Sequence, residues 1–243
     1  GKKQLADGQF DDAKATFESL EDYADARTKA KESVYQKGKK QLADGQFDDA
    51  KATFESLEDY ADAQTKAKES MYQKGEKLLA AKDYDGAIAA YQAADDYSDA
   101  STKAKGAQYQ KGESLIAVGD YDGAVAYYLS IEAYGWVQET QYAKGKAMIV
   151  AGNYDDAAAY YLSIEAYSWA QEAQYAKGEA MMAVGDYDGA IAAYRAAGDY
   201  SDAEMKFKKE EYCKGERLLA EQDNEAAAQA FASAVGYQDA LKR

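Results

Sequence analysis

The fold is decided by the stretch Gly38–Lys74, which reads GKKQLADGQFDDAKATFESLEDYADAQTKAKESMYQK. The preceding segment, Gly1–Lys37, is the same text with two changes, Arg27 in place of Gln64 and Val34 in place of Met71. Weaker copies continue to the end of the chain. Because a copy of 33 to 37 residues is too short to bury a core of its own, each one must pack on its neighbours.

Four positions recur in all seven copies. A glycine begins each copy, an alanine follows twelve residues later, an aromatic ring four residues after that, and a tyrosine six residues further on. The glycines are Gly1, Gly38, Gly75, Gly112, Gly145, Gly178 and Gly215, and the connector tyrosines are Tyr23, Tyr60, Tyr97, Tyr134, Tyr167, Tyr200 and Tyr237. We therefore predict a single array of units 1–37, 38–74, 75–111, 112–144, 145–177, 178–214 and 215–243.

Each copy predicts two helices. The first one starts near Asp25 as its N-cap and ends at Gly45, a residue that suits the left-handed end of a helix. The second helix buries a stripe formed by Ala50, Phe54 and Leu57. Its N-cap is Gln46 in this copy, and the counterparts Asp83, Asp120, Asn153, Asp186 and Asp223 are stronger N-caps. The last copy stops at Gln238–Arg243, just after a new helix begins, and both ends look like parts of a longer array.

Copies 112–144 and 145–177 lose four residues after their connector tyrosines. The long sequence SDASTKAKGAQ becomes GWVQETQ (Gly135–Gln141) or SWAQEAQ (Ser168–Gln174). Four residues are about one helical turn, so we expect the long copies to carry an additional turn in the first helix, as in Asp99–Gln108.

The composition argues against most chemistry. The absence of His removes imidazole from catalysis and metal binding, and the single Cys213 cannot build a thiolate zinc site. The acids Asp83, Asp120 and Asp186 lack the glutamate that completes a calcium loop and are interpreted as helix caps. We expect no enzyme, no metal and no cofactor. A net charge of −15 disfavours nucleic acid and anionic membranes, and no apolar run reaches the ~20 residues of a membrane span.

The string G-x6-G-x-[FY]-x2-A-x3-[FY], carried by Gly38, Gly45, Phe47, Ala50 and Phe54, resembles the tetratricopeptide repeat (TPR), a helix-turn-helix unit of 34 residues. The resemblance covers the whole chain. It implies an all-α, right-handed α-solenoid of about seven TPR-like units. It also implies a non-catalytic scaffold whose first helices line a concave groove for a partner protein. The chain departs from the family pattern before the first glycine, where an apolar residue is replaced by Lys37, Lys74, Lys111, Lys144, Lys177 and Lys214.

The binding surface is predicted in copies 112–144 and 145–177. They hold three of the 29 basic residues but ten of the 23 tyrosines and both tryptophans. Tyr and Trp dominate interface hot spots, and acidic flanks steer a basic partner. The predicted site contains Tyr109, Tyr142 and Tyr175 along the first helices, Trp136 and Trp169 beside them, Tyr127 and Tyr160 facing outward, and Glu113, Glu139, Glu172 and Glu179.

Other interpretations stay open. Tyrosines that recur at one position in every copy also suit packing within and between repeats. We expect this packing role above all for the connector tyrosines. The tryptophans could fill the space of the lost turn. The partner is expected to be a basic or neutral protein or peptide. The alternatives are a structural or engineered array that stacks on itself without a specific ligand, and a glycan-binding module. The cytoplasm is slightly favoured as compartment, although the sequence assigns none.

Overall fold

The computed structural model of the chain describes residues 1–20 and 25–237. In these ranges all regular structure is helical, which confirms the predicted all-α repeat fold. The chain divides into two compact units, Gly1–Gly119 and Asp120–Arg243. The first unit contains α1 (Lys2–Ala6), α2 (Phe10–Glu18), α3 (Ala26–Ala43), α4 (Phe47–Glu55), α5 (Ala63–Ala80), α6 (Tyr84–Ala93) and α7 (Ala100–Ala117). The second contains α8 (Tyr121–Ser130), α9 (Tyr134–Val150), α10 (Tyr154–Ser163), α11 (Tyr167–Val184), α12 (Tyr187–Ala197), α13 (Ala203–Ala220) and α14 (Asn224–Ser233).

The predicted helix ends are largely confirmed. Asp25 is the N-cap residue of α3, and Gly45, with a φ of 74°, follows the end of that helix. The carboxylates of Asp83, Asp120, Asp186 and Asp223 each accept a hydrogen bond from the backbone N–H three residues later. Asn153 is the N-cap residue of α10, as predicted, but its side chain makes no capping hydrogen bond. Tyr23 and the helix start predicted within Gln238–Arg243 lie outside the described residues.

Each described core is built on a glycine that receives an aromatic ring. A Cβ atom on Gly75 would lie 2.7 Å from the ring of Tyr91, which comes from the second helix of the same copy. The same pairing joins Gly1 to Phe17, Gly38 to Phe54, Gly145 to Tyr161, Gly178 to Tyr194 and Gly215 to Phe231. These rings are buried, as are Ala50 and Leu57 of the predicted stripe. The recurring glycine therefore marks close packing of the two helices of a copy, as its retention in a helix predicts.

The two short copies do not lose a helical turn, so that prediction is wrong. Helices α9 and α11 have 17 and 18 residues, and α5 and α7 have 18 each. The loss falls on the connector, which spans residues 94–99 before α7 but only residues 131–133 before α9. The long connector needs two left-handed residues, Asp95 and Ser98, whereas the short one needs only Glu132. As a result, the connector tyrosine becomes the first residue of the helix.

The lysine that departs from the family pattern joins consecutive helices within a copy. Its ammonium group pairs with a carboxylate in the first turn of the preceding second helix, at 2.6 to 2.7 Å. The pairs are Lys37–Asp11, Lys74–Asp48, Lys111–Asp85, Lys144–Asp122, Lys177–Asp155 and Lys214–Asp188. An ion pair between a second helix and the first helix that follows it thus stands where the family pattern has an apolar residue.

Replacing Lys177 by methionine is expected to cost about 0.2–1 kcal/mol at low salt, because the pair is largely solvent-exposed. Hydrogen bonding from Lys177 lowers the pKa of Asp155. The stabilisation is therefore complete above the unfolded pKa of about 3.9 and disappears as the pH falls through the lower folded value. Urea unfolding of parent and variant, at low and high salt and across this acid range, measures both effects.

The matched control is Lys105→Met. Lys105 is exposed and has no ion-pair partner within residues 1–20 and 25–237. Its loss removes the same charge without breaking a pair. A Lys177→Met variant whose stability follows salt and pH as the control does contradicts the assigned role.

Candidate functional site

The first-helix tyrosines form bonds between copies. The hydroxyl groups of Tyr72 and Tyr175 donate to Asp99 and Asp202, the N-cap residues of the next first helices, at 2.6 Å each. Tyr35 makes the same bond to Asp62, which raises the pKa of Tyr35 to about 12. Those aspartates do not cap their own helices through the side chain. The sequence Tyr-x-Asp-Ala, which precedes the first helix of the long copies at Tyr60–Ala63, Tyr97–Ala100 and Tyr200–Ala203, therefore supplies the acceptor for the tyrosine of the preceding copy.

Glu179, predicted to steer a partner, belongs to an internal network. Its carboxylate accepts hydrogen bonds from Lys206, at 2.5 Å, and from the hydroxyl of Tyr194. These bonds lower the pKa of Glu179. Lys206 also donates to the hydroxyl of Tyr175, at 2.8 Å. The carboxylate is therefore held by its own chain.

Tyr142, Trp169 and Glu172 are brought together, as predicted for the site. The ring centroids of Tyr142 and Trp169 are 4.9 Å apart, and Trp169 lies 5.5 Å from Tyr161. Glu172 accepts from Lys146 at 2.8 Å and lies 3.5 Å from the hydroxyl of Tyr142. In long copies a connector tyrosine contacts the first-helix tyrosine in this way, as Tyr200 contacts Tyr175. Trp169 is half-buried and thus takes the place that a connector tyrosine has in the long copies, rather than the space of a lost helical turn.

Tyr127 and Tyr160 do not face outward, so that prediction is wrong. Each is half-buried, with its ring 5.8 Å from that of the following tyrosine. The ammonium group of Lys144 lies 4.9 Å from the Tyr160 ring centroid, and burial raises the pKa of Tyr160. The remaining predicted residues fall in different places. Trp136 contacts Tyr128 at 5.3 Å, Glu139 is exposed on α9, and Tyr109 and Glu113 are exposed on α7 of the first unit.

Sequence reasoning missed an exposed apolar set at the short connectors. We define the connector patch as Leu129, Tyr134, Leu162 and Tyr167, which are 47, 64, 52 and 64% exposed. The expectation that the connector tyrosines pack inside is wrong for Tyr134 and Tyr167. In other copies the leucine position holds Glu18, Glu55, Gln92, Arg195 or Ala232, and the described connector tyrosines Tyr60, Tyr97, Tyr200 and Tyr237 are half-buried. A tryptophan two residues after each tyrosine was the available signal, since it takes the interior place.

A cavity of about 400 Å³ adjoins the second half of this patch. Gln138 and Gln141 of α9 line one side of it, and Glu165, Tyr167 and Trp169 line another. The cavity therefore combines aromatic rings, side-chain amides and one carboxylate.

The short copies carry uncompensated negative charge. Their three lysines, Lys144, Lys146 and Lys177, pair with Asp122, Glu172 and Asp155. Glu132, Glu139 and Glu165 are exposed, and none has a cationic partner in the part of the chain that the structure describes. The charge available to a partner is therefore negative.

The described residues offer little for other chemistry. They contain no group of three or more His, Cys, Asp or Glu side chains that could hold a metal ion. Cys213 is exposed. Among the described helices, none has both the length and the apolar character needed to cross a bilayer.

Sequence comparison supplies the family. A family model described as Tetratricopeptide repeat matches residues 35–102, 109–168 and 142–204, which together span about two-thirds of the chain. No curated protein matches the chain. The matched segments include both short copies and four of the glycines that receive rings, Gly38, Gly75, Gly145 and Gly178. The chain belongs to the tetratricopeptide repeat family, whose repeats generally mediate protein–protein interaction.

Proposed function

We propose that the chain is a non-catalytic scaffold that binds a basic or neutral segment of a partner protein on its two short copies. The connector patch carries this proposal. It exposes the same leucine and tyrosine in two consecutive copies, where other copies place mostly polar side chains and half-buried rings. Exposed apolar groups that recur beside carboxylates suit a protein interface, in which tyrosine is a frequent hot spot.

The predicted groove residues have two roles in this proposal. Tyr142, Tyr175 and Trp169 support the surface by packing copies together, because their rings and hydroxyl groups already have partners inside the chain. Charge for a basic partner comes from Glu139 and the connector glutamates, which have no cation beside them in the described ranges. Tyr109 and Glu113 are a further exposed pair on α7.

Replacing both Tyr134 and Tyr167 by serine is expected to weaken partner binding by about tenfold or more, since two exposed rings are lost. The measurement is binding to an array of short synthetic peptides of graded net charge, followed by titration of those that bind the parent. Basic and neutral peptides are expected to bind, and acidic ones are not.

Tyr187→Ser is the matched control, because Tyr187 is also an exposed tyrosine at the start of a helix but lies outside the patch. It should bind as the parent does, and all variants should melt alike. Equal binding by the double variant and the parent overturns the proposal. So does a parent that binds no peptide and forms end-to-end oligomers or binds glycans, which are the two alternative functions.

A further inference from the structure

We infer that the cavity between α9 and the connector 164–166 receives a lysine or arginine side chain of an extended partner segment. The inference rests on the proposed function and names the class of ligand for its surface. The inference concerns the part of the patch around Tyr167, where the described residues line an open cavity of about 400 Å³. That volume lies in the range of small-ligand sites, which is about 300–1,000 Å³.

The lining suits a cation with a long apolar stem. Glu165 is exposed and has no cationic partner among the residues that the structure describes. The side-chain carbonyl groups of Gln138 and Gln141 add hydrogen-bond acceptors. The aromatic rings of Tyr167 and Trp169 offer surface for the stem of a lysine or arginine and for a cation–π contact.

One ring of the cavity lining, that of Trp169, is held in place before a ligand arrives. Trp169 packs against Tyr142 and the fully buried Tyr161, with ring centroids 4.9 and 5.5 Å away. A ring fixed in this way loses little further freedom on binding, which favours affinity. The lining contains one carboxylate and no lysine or arginine. An acidic or phosphorylated segment would therefore be repelled by the carboxylate and would find no positive charge to bind.

The spacing of the copies indicates the conformation of the partner. The run Ile131–Glu132–Ala133–Tyr134 recurs as Ile164–Glu165–Ala166–Tyr167, and α9 contacts α11. Packed helices are about 8–10 Å apart. Three residues of a polyproline II segment advance about 9 Å. A partner in that conformation presents equivalent side chains to the two connectors at every third residue.

The probe for the test is a synthetic peptide of four Arg-Pro-Leu triplets. It is titrated against a Trp136→Phe variant, excited at a wavelength that tyrosine does not absorb, so that Trp169 is the one fluorophore, since the chain has two tryptophans. Binding should change this fluorescence and weaken with salt. The same peptide with citrulline for arginine keeps the shape without the charge and should bind about tenfold more weakly. Glu165→Gln in the protein should have a similar effect.

Glu225→Gln is the matched control, because it removes an exposed carboxylate of α14 that does not line the cavity. It should change binding by less than about twofold. The inference fails if Glu165→Gln binds as the parent does, if the citrulline peptide binds equally well, or if a glycan rather than the peptide changes the Trp169 signal. The proposed function stands by itself if the Tyr134/Tyr167 variant loses peptides that Glu165→Gln retains, and it fails if the parent binds no peptide of the array.

Discussion

Gly145→Ala is expected to destabilise the chain by about 3 kcal/mol, and Gly145→Leu by more. A Cβ atom at Gly145 would overlap the ring of Tyr161, and this overlap is closer than at the other glycines that receive rings. The ring has no easy way out, because it is fully buried and its hydroxyl donates to the carbonyl of Tyr142 at 2.8 Å. Urea unfolding of parent and variant measures the loss.

The control lies in the same helix. Gly135 is exposed in the first turn of α9, and a Cβ atom there would meet nothing within 4 Å. Gly135→Ala should therefore be neutral or stabilise the chain by up to about 1 kcal/mol, through helix propensity. Equal stability of the two alanine variants would contradict the assignment of Gly145 to a helix contact.

The glycine contact could be predicted because repetition supplied several independent copies of one pattern. A glycine in the interior of a helix lowers stability, so its retention in the first helix of every copy indicates a close contact there. A ring retained in the second helix of every copy is the natural partner for that contact. Their shared periodicity placed Gly38 opposite the element that carries Phe54. The same logic identified Asp83 and its aspartate counterparts as caps, since the local geometry of a helix start needs no tertiary information.

The candidate site could be predicted only in its location. Removing four residues from a helix takes out about one turn and keeps its faces aligned, and removing them from a connector leaves the helices unchanged. The sequence therefore did not show whether the helix or the connector is shorter. The structure places the loss in the connector, where Trp169 takes the interior position and Tyr167 moves to the surface. The bond from Tyr35 to Asp62 joins residues 27 positions apart, and no local pattern reports such a contact.

Tyr161→Ala is expected to cost about 3–5 kcal/mol, the range for removal of a large buried aromatic side chain. Its ring lies against Gly145 and contacts the rings of Tyr142 and Trp169, at 6.4 and 5.5 Å between centroids. Removing it leaves a cavity at the junction of α9, α10 and α11. Tyr161→Phe retains the ring and loses only one hydrogen bond, so it should cost about 1 kcal/mol. Urea unfolding of the three proteins measures both steps.

Tyr160→Ala is the matched comparison, because Tyr160 and Tyr161 are adjacent in α10. It distinguishes the loss of a core ring from the loss of a partly exposed one. Tyr160 is half-buried beneath Lys144, so its loss should cost about 1–2 kcal/mol, clearly less than that of Tyr161. Equal losses would mean that both rings belong to the core. A smaller loss at Tyr160, together with unchanged peptide binding, places the working surface at the connectors, where Tyr134 and Tyr167 are the exposed rings.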